Sequence, residues 1–179
     1  MMDTIGFLEL NSIAKGVEAA DIVVKTADVR LAFAKAGCPG KYYILLTGEV
    51  AAVEASLAAV GGHHVVDSCL IPRVHPQVIR AINLAGSPEG AGAIGVMEFF
   101  SVTASVYAAD AAVKAAEVTL LDVRLGTGIG GKSFVVLTGE VAAVEEAVRC
   151  GVNTPNAQGM VVASVVIPNP VPELYASLL

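Results

Sequence analysis

The chain has 179 residues, of which 55% are apolar and 16% charged, and its net charge at neutral pH is −6. This length fits one large domain or two small ones, and an acidic chain without a basic stripe is not expected to bind nucleic acid. The apolar fraction exceeds the usual value of about 45–50%. This excess indicates faces buried between copies of the chain or, since Ala and Gly supply much of it, simply tight packing within the chain. No uncharged apolar run reaches about 18 residues, so no membrane span is predicted.

The first half of the chain predicts alternating strands and helices that end in a short third helix. Strands are predicted at Ile5–Leu10, Val29–Ala36, Lys41–Thr47 and Val65–Ile71, and helices at Ile13–Thr26, Glu49–Val60 and Gln77–Leu84. Asn11 or Ser12 can cap the first helix. Its apolar residues recur at helical spacing on one face, at Ile13, Val17, Ala20, Val24 and Ala27.

The second half repeats the first. The octapeptide Thr47–Glu54 recurs as Thr138–Glu145, and 12 of 25 positions agree between Ile5–Val29 and Ile94–Val118. The second copy has two extra residues after its second strand and five between its second helix and fourth strand, both in predicted loops. Small residues at Ala85–Ala93 indicate a linker. We therefore predict a first domain at 1–86, a linker at 87–93 and a second domain at 94–179.

Each copy thus predicts the order β-α-β-β-α-β with a trailing helix. This order is typical of an α+β fold, with two tandem ferredoxin-like domains. It is shared by many unrelated functions, so the order alone does not predict an activity.

Shared motifs identify a family resemblance over nearly the whole chain apart from the linker. Both copies contain Ile-Gly-x-x-Glu, Ala-Ala-Asp-x-x-x-Lys, a Gly-Lys strand, Thr-Gly-Glu-Val and Ser-x-x-Ile-Pro, and the first continues into Arg73-Val74-His75-Pro76. The pattern resembles the tandem shell proteins of bacterial microcompartments. Cys38-Pro39-Gly40-Lys41 and Gly128-Ile129-Gly130-Gly131-Lys132 are most similar to the subgroup from propanediol-utilisation microcompartments.

The resemblance implies a structural protein rather than an enzyme. It implies a homotrimer that mimics a hexamer and tiles with other shell proteins into the shell of a microcompartment in the bacterial cytoplasm. In that subgroup it also implies one 4Fe-4S cluster per trimer, held on the threefold axis at the pore, and a redox cargo enzyme as partner. The implied pore loops are Gly37, Cys38, Pro39 and Gly40 in the first copy and Gly128, Ile129, Gly130 and Gly131 in the second.

Cys38 is the implied metal ligand. One thiolate cannot hold a cluster that usually needs about four ligands, but three chains around a threefold axis bring three together. One iron is then left open to a small ligand. Gly37 and Gly40 permit close approach of backbones at an axis. The alternative is that Cys38 is only a small apolar residue in a turn.

Lys25, Lys114 and Arg73 are the implied contacts at the edges between trimers. Each lysine also follows an aspartate by four residues, at Asp21 and Asp110, so a simple helix-surface ion pair explains it equally well. The second copy has Asn169 in place of the arginine, which puts in doubt whether both edges use the same contact.

The remaining candidate groups favour structural interpretations. The glycine-rich loop at Gly128–Gly131 does not match the phosphate-binding pattern, since a strand follows where a helix is needed. His63 and His64 are expected to point apart on a loop and not to bind a metal. Cys69 in the fourth strand and Cys150 after the second helix of the second copy lack partners at ligand spacing, and irregular cysteine spacing predicts reduced cytosolic thiols.

Three other functions stay open at this stage. One is a trimeric sensor that binds small ligands between the copies, and another is a plain shell tile or metabolite pore with no cluster. The third is an iron–sulfur oxidoreductase, which would need substrate-binding polar groups that the sequence does not show. The N-terminal Met-Met-Asp-Thr lacks a basic stretch, so no signal peptide is expected.

Overall fold

A computed structural model describes residues 4–83 and 92–178, and within them the order of elements repeats. The first copy contains β1 (Thr4–Leu10), α1 (Ile13–Thr26), β2 (Val29–Gly37), β3 (Lys41–Gly48), α2 (Val50–Ala58), β4 (Val65–Ile71) and α3 (Pro76–Ile82). The second contains β5 (Ala93–Phe99), α4 (Val102–Ala115), β6 (Val118–Leu125), β7 (Ser133–Gly139), α5 (Val141–Asn153), β8 (Val161–Ile167) and α6 (Pro172–Ser177). In the described parts of the chain, no helix has the length and apolar character that crossing a membrane requires.

Each copy forms a four-stranded antiparallel sheet with its strands in the same spatial order. The two orders are β2-β3-β1-β4 and β6-β7-β5-β8. The register repeats as well, because Ile5 pairs with Thr47 and Ile94 with Thr138. The predicted α+β fold with two tandem βαββαβ copies is therefore confirmed.

Helices α1 and α2 cover one face of the first sheet. Side chains alternate between the two faces along a strand, so the helix-covered face of β1 and β3 carries Leu8, Leu10, Ile44 and Leu46, packed with Ala19 and Val23 of α1. Full burial of an aliphatic side chain contributes about 1.5–3 kcal/mol, so this layer is the main apolar core of the copy. The other face carries Phe7 and Tyr43, which are also fully buried.

The chain forms two compact units. The first unit comprises Met1–Val74 with Gly126–Gly131, and the second comprises His75–Leu125 with Lys132–Leu179. Helix α3, which the sequence boundary at residue 86 places in the first domain, packs in the second unit. There the Gln77 side chain donates to the carbonyl oxygen of Val118 at 3.1 Å and accepts from the amide of Leu120 at 2.8 Å. Most of the predicted linker 87–93 lies outside the described residues.

Only part of the apolar face that periodicity assigns to α1 packs within the first unit, where Ala20 contacts the core. Ile13, Val17 and Val24 are exposed, while Gly16, Ala19 and Val23 are buried against the sheet. Ser12 caps the helix by accepting a hydrogen bond from the amide of Lys15. The predicted bounds of α1 are confirmed, but the residues of α1 that are fully buried lie beside the predicted apolar stripe.

The sequence predicts that the five-residue insertion of the second copy lies in a loop. In the structure the insertion is not confined to a loop. Helix α5 has 13 residues and its counterpart α2 has 9. A short 3₁₀ turn at Pro155–Ala157 follows it. Cys150, predicted to follow this helix, lies within it.

Candidate functional site

Cys38 lies at the tip of the hairpin between β2 and β3. Gly37 and Lys41 form the last pair of the ladder, so only Cys38, Pro39 and Gly40 turn the chain. Gly40 has a φ of 74°, a left-handed conformation that glycine adopts without a steric cost. The peptide bond between Cys38 and Pro39 is cis. The turn forms where the sequence predicts it, and it leaves the Cys38 side chain partly exposed.

Tyr43 packs directly beneath this turn. Its hydroxyl donates a hydrogen bond to the carbonyl oxygen of Cys38 at 3.2 Å. Its ring stacks on Phe7, with the ring centroids 5.9 Å apart. Two glycines leave room for the ring, because a Cβ placed on Gly37 or on Gly126 would lie 2.1 Å from a Tyr43 atom. The backbone of the Cys38 turn is therefore held from inside the first unit.

The glycine-rich loop Gly126–Gly131 completes the surroundings of the turn in the first unit. A Cβ on Gly131 would lie 2.8 Å from Cδ of Pro39 and 3.1 Å from the carbonyl oxygen of Cys38. The loop is rich in left-handed residues, at Gly126, Gly128, Gly130 and Gly131. Because β7 follows it, the loop does not lead into the helix N-terminus that a phosphate-binding loop requires.

A cluster at Cys38 needs more than one chain. Within residues 4–83 and 92–178, no three His, Cys, Asp or Glu side chains come together in a way that could hold a metal ion. The chain offers a partly exposed thiol on a tight turn with glycines on both sides. This donor fits an iron–sulfur cluster chemically, provided that further chains bring their own Cys38 to the same point.

The other two thiols are less suited to binding a metal. Cys69 is buried in β4, and burial, followed by the charge of Asp67, raises the pKa of its thiol well above the ordinary value. Cys150 donates a hydrogen bond to Oε1 of Glu146 at 3.2 Å, and this bond is the main reason why its pKa is raised. Since the thiolate is the form that binds metals, both environments disfavour ligation.

The two implied edge lysines lie in different surroundings. Lys25 pairs with Asp21 at 2.6 Å on an exposed surface. Lys114 pairs with Asp110 at 2.5 Å, and this aspartate also accepts a hydrogen bond from the amide of His75 at 2.8 Å. The predicted i,i+4 pairs are present in both helices. Lys25 is the more accessible of the two for contact with a neighbouring surface.

Arg73 and Asn169 occupy matching places after β4 and β8, and both are exposed. Arg73 has a φ of 51°, which is uncommon for a residue with a side chain. The structure thus leaves both side chains accessible.

The histidine pair differs from the sequence expectation. His63 and His64 were expected to point apart, but their ring centroids lie 4.1 Å apart. The Nδ1 atom of His64 lies 2.9 Å from Oδ1 of Asn11, which fixes the orientation of this ring. The pair lines a cleft of about 270 Å³ together with Lys15 and Glu18 of α1.

Sequence analysis did not identify Tyr43 as part of the site. The available signal was a difference between the two copies, since the position of Tyr43 is occupied by Phe134 in the copy that lacks the cysteine. The repeat motifs also contain a glutamate and a lysine in each copy. In the structure these two residues form an ion pair, Glu9 with Lys41 in the first copy and Glu98 with Lys132 in the second.

The chain is similar to known proteins over both of its copies. The sequence-family model of the BMC domain matches residues 4–74 and 93–170 of this chain. The bacterial microcompartment shell protein PduT of Citrobacter freundii is 42% identical over 173 residues, which cover 95% of this chain and 94% of PduT. The carboxysome assembly protein CcmO of Synechococcus elongatus is 29% identical over 97% of this chain and 68% of that protein.

A solved structure has the same fold over nearly the full length. The crystal structure of a microcompartments protein from Desulfitobacterium hafniense DCB matches with a TM-score of 0.90 and 47% identity, covering 98% of this chain and 99% of that one. The similarity therefore extends over both copies and is not limited to one domain.

Proposed function

We propose that this chain, which belongs to the BMC-domain family and is a structural protein of a bacterial microcompartment shell, forms trimers that share an iron–sulfur site at Cys38. Family membership rests on the BMC match over both copies and on 42% identity to a shell protein along 95% of the chain. Its relatives are shell proteins and not enzymes, and the family implies association with itself and with other shell proteins.

The tandem arrangement and the exposed α1 face support a trimer. Two equivalent sheets per chain give six around a threefold axis, which is the symmetry of a pseudohexamer. The first unit exposes Ile13, Val17 and Val24 on one helix. Exposed apolar side chains grouped on one surface are typical of a protein–protein contact.

The position of Cys38 is the observation that carries the cluster proposal. Its thiol lies at a hairpin tip, partly exposed and flanked by Gly37 and Gly40, so three copies can approach an axis closely. Three Cys38 thiolates would supply three ligands of a 4Fe-4S cluster and leave one iron for a small ligand. When bound, such a cluster supplies one-electron transfer, and its partner would be a redox enzyme enclosed by the shell.

Replacement of Cys38 by Ser tests this proposal. Protein prepared anaerobically should contain about four irons per trimer, and Cys38→Ser should contain almost none while keeping its trimeric mass in light scattering. Cys150→Ser is the matched control, because Cys150 is also partly exposed but lies on α5, and it should keep its iron.

Parent protein without iron, sulfide or broad visible absorption would contradict the cluster. The chain would then be a plain tile or a metabolite pore, and electron microscopy of flat hexagonal arrays would show whether the tiling function persists. A monomeric mass at working concentration would contradict the trimer itself.

A further inference from the structure

We propose that Tyr43 is a positioning residue that fixes the Cys38 backbone, and with it the direction of the thiol. This inference rests on the function proposed above, because the positioned thiol is the proposed ligand. Tyr43 does not touch a bound group, and it acts through the hydrogen bond from its hydroxyl to the Cys38 carbonyl oxygen at 3.2 Å.

The hydroxyl stands on a rigid support. The Tyr43 side chain is fully buried, and its ring stacks on Phe7 with an interplanar angle of 29°. Phe7 in turn meets Phe33 edge to face, with the centroids 6.4 Å apart. An aromatic side chain has few torsions to order, so three packed rings hold the hydroxyl in one place.

Two glycines define the space that the ring occupies. A Cβ on Gly37 would lie 2.1 Å from Cε2 of Tyr43, and a Cβ on Gly126 would lie 2.1 Å from its hydroxyl oxygen. Real Cβ atoms do not approach other atoms so closely, so the ring fits only because both neighbours are glycine. The hydroxyl is thereby confined between the Cys38 turn and the loop Gly126–Gly131.

The duplicated sequence shows that this support accompanies the cysteine. At the positions of Tyr43, Phe7 and Phe33 the second copy has Phe134, Val96 and Asp122. The second copy therefore lacks the hydroxyl and two of the three rings, and its hairpin loop contains no cysteine. The anchor occurs only in the copy that has a thiol to position.

Tyr43→Phe removes the hydroxyl and keeps the ring. Hydrogen exchange followed by mass spectrometry should show faster exchange in the peptide that covers Gly37–Lys41, by roughly fivefold, which is the effect of losing one hydrogen bond. Iron loss to a chelator should accelerate by a similar factor, and the electron paramagnetic resonance lines of the reduced cluster should broaden. Tyr42→Phe is the control, since Tyr42 lies on the other face of β3 and should change none of these quantities.

Unchanged exchange in Gly37–Lys41 would overturn the inference, even if the parent binds iron. Faster exchange confined to this peptide supports it, even if the parent binds no iron and the cluster proposal fails. Uniformly faster exchange over all of β1 and β3 would also overturn it, because Tyr43 would then stabilise the sheet and not the turn.

Discussion

Helices α1 and α4 have the same place in two copies of one sequence, but their surroundings differ. Ile13, Val17 and Val24 of α1 correspond to Val102, Val106 and Val113 of α4. The first three are exposed and the second three are buried. Within the second unit, α3, α5 and the 3₁₀ turn pack against α4. An apolar face on a helix therefore predicts that another element packs on it, but it does not predict whether that element belongs to the same chain or to another.

The matching acidic positions Glu9 and Glu98 offer the largest test of how far the copies differ. Glu9 has a side chain 2% exposed and pairs with Lys41, whereas Glu98 is 35% exposed and pairs with Lys132 at 2.7 Å. Lys41→Met should cost about 3–4 kcal/mol, because it leaves a buried carboxylate without its cation. Lys132→Met should cost less than about 1 kcal/mol. Urea denaturation of both variants measures the difference, and equal losses would refute it.

The next largest effect on stability is expected at a contact between α1 and β3, where the two copies have side chains of different size. Gly16 packs under Tyr42, and a Cβ there would lie 2.3 Å from Cβ of the tyrosine. The second copy has Ser105 and Ser133 at these positions, both buried. Gly16→Ser should destabilise the first unit by about 3 kcal/mol through overpacking.

A double-mutant cycle that combines Gly16→Ser with Tyr42→Ser separates overpacking from other causes of the stability loss. The double variant should lose clearly less stability than the sum of the two single variants, because the serine then meets no ring. Purely additive losses in thermal or urea unfolding would show that the clash does not determine the choice of glycine.

The matched valines give the smallest expected effect on folding. Val106→Ala should cost about 2 kcal/mol, because it removes fully buried methyl groups. Val17→Ala, at a side chain 56% exposed, should cost less than about 0.5 kcal/mol in dilute protein. Val17→Asp should leave the dilute chain folded but weaken self-association in sedimentation experiments. Unchanged association would place the partner elsewhere.

The repeat made the topology predictable from sequence. Two copies that share strand-length apolar runs and turn residues are expected to share one fold, and Ile5 and Ile94 hold the same register position in the two sheets. The Cys38 turn was also predictable, because proline cannot donate to a strand ladder and glycine adopts the positive φ of a tight turn.

Features that depend on distant contacts could not be predicted in this way. The packing face of α1 includes Gly16, which lies against the side chain of Tyr42 on β3, and this contact between distant residues leaves no periodic signal. The extension of α5 shows that an insertion can continue a helix when its residues permit. The bond from Tyr43 to Cys38 joins a side chain to a backbone atom, which leaves no periodic signal.

The hydrogen bonds of Gln77 link the trailing helix of the first copy to the sheet of the second. Its side-chain amide occupies the backbone groups of Val118 and Leu120 on β6, the outermost strand of the second sheet. If the second copy were produced without the residues that precede the linker, these two backbone groups of the edge strand would lose their partner. An unpaired edge strand promotes aggregation. The trailing helix of the first copy thus belongs to the second unit, and the loop Gly126–Gly131 of the second copy belongs to the first, so the two copies are not independent modules.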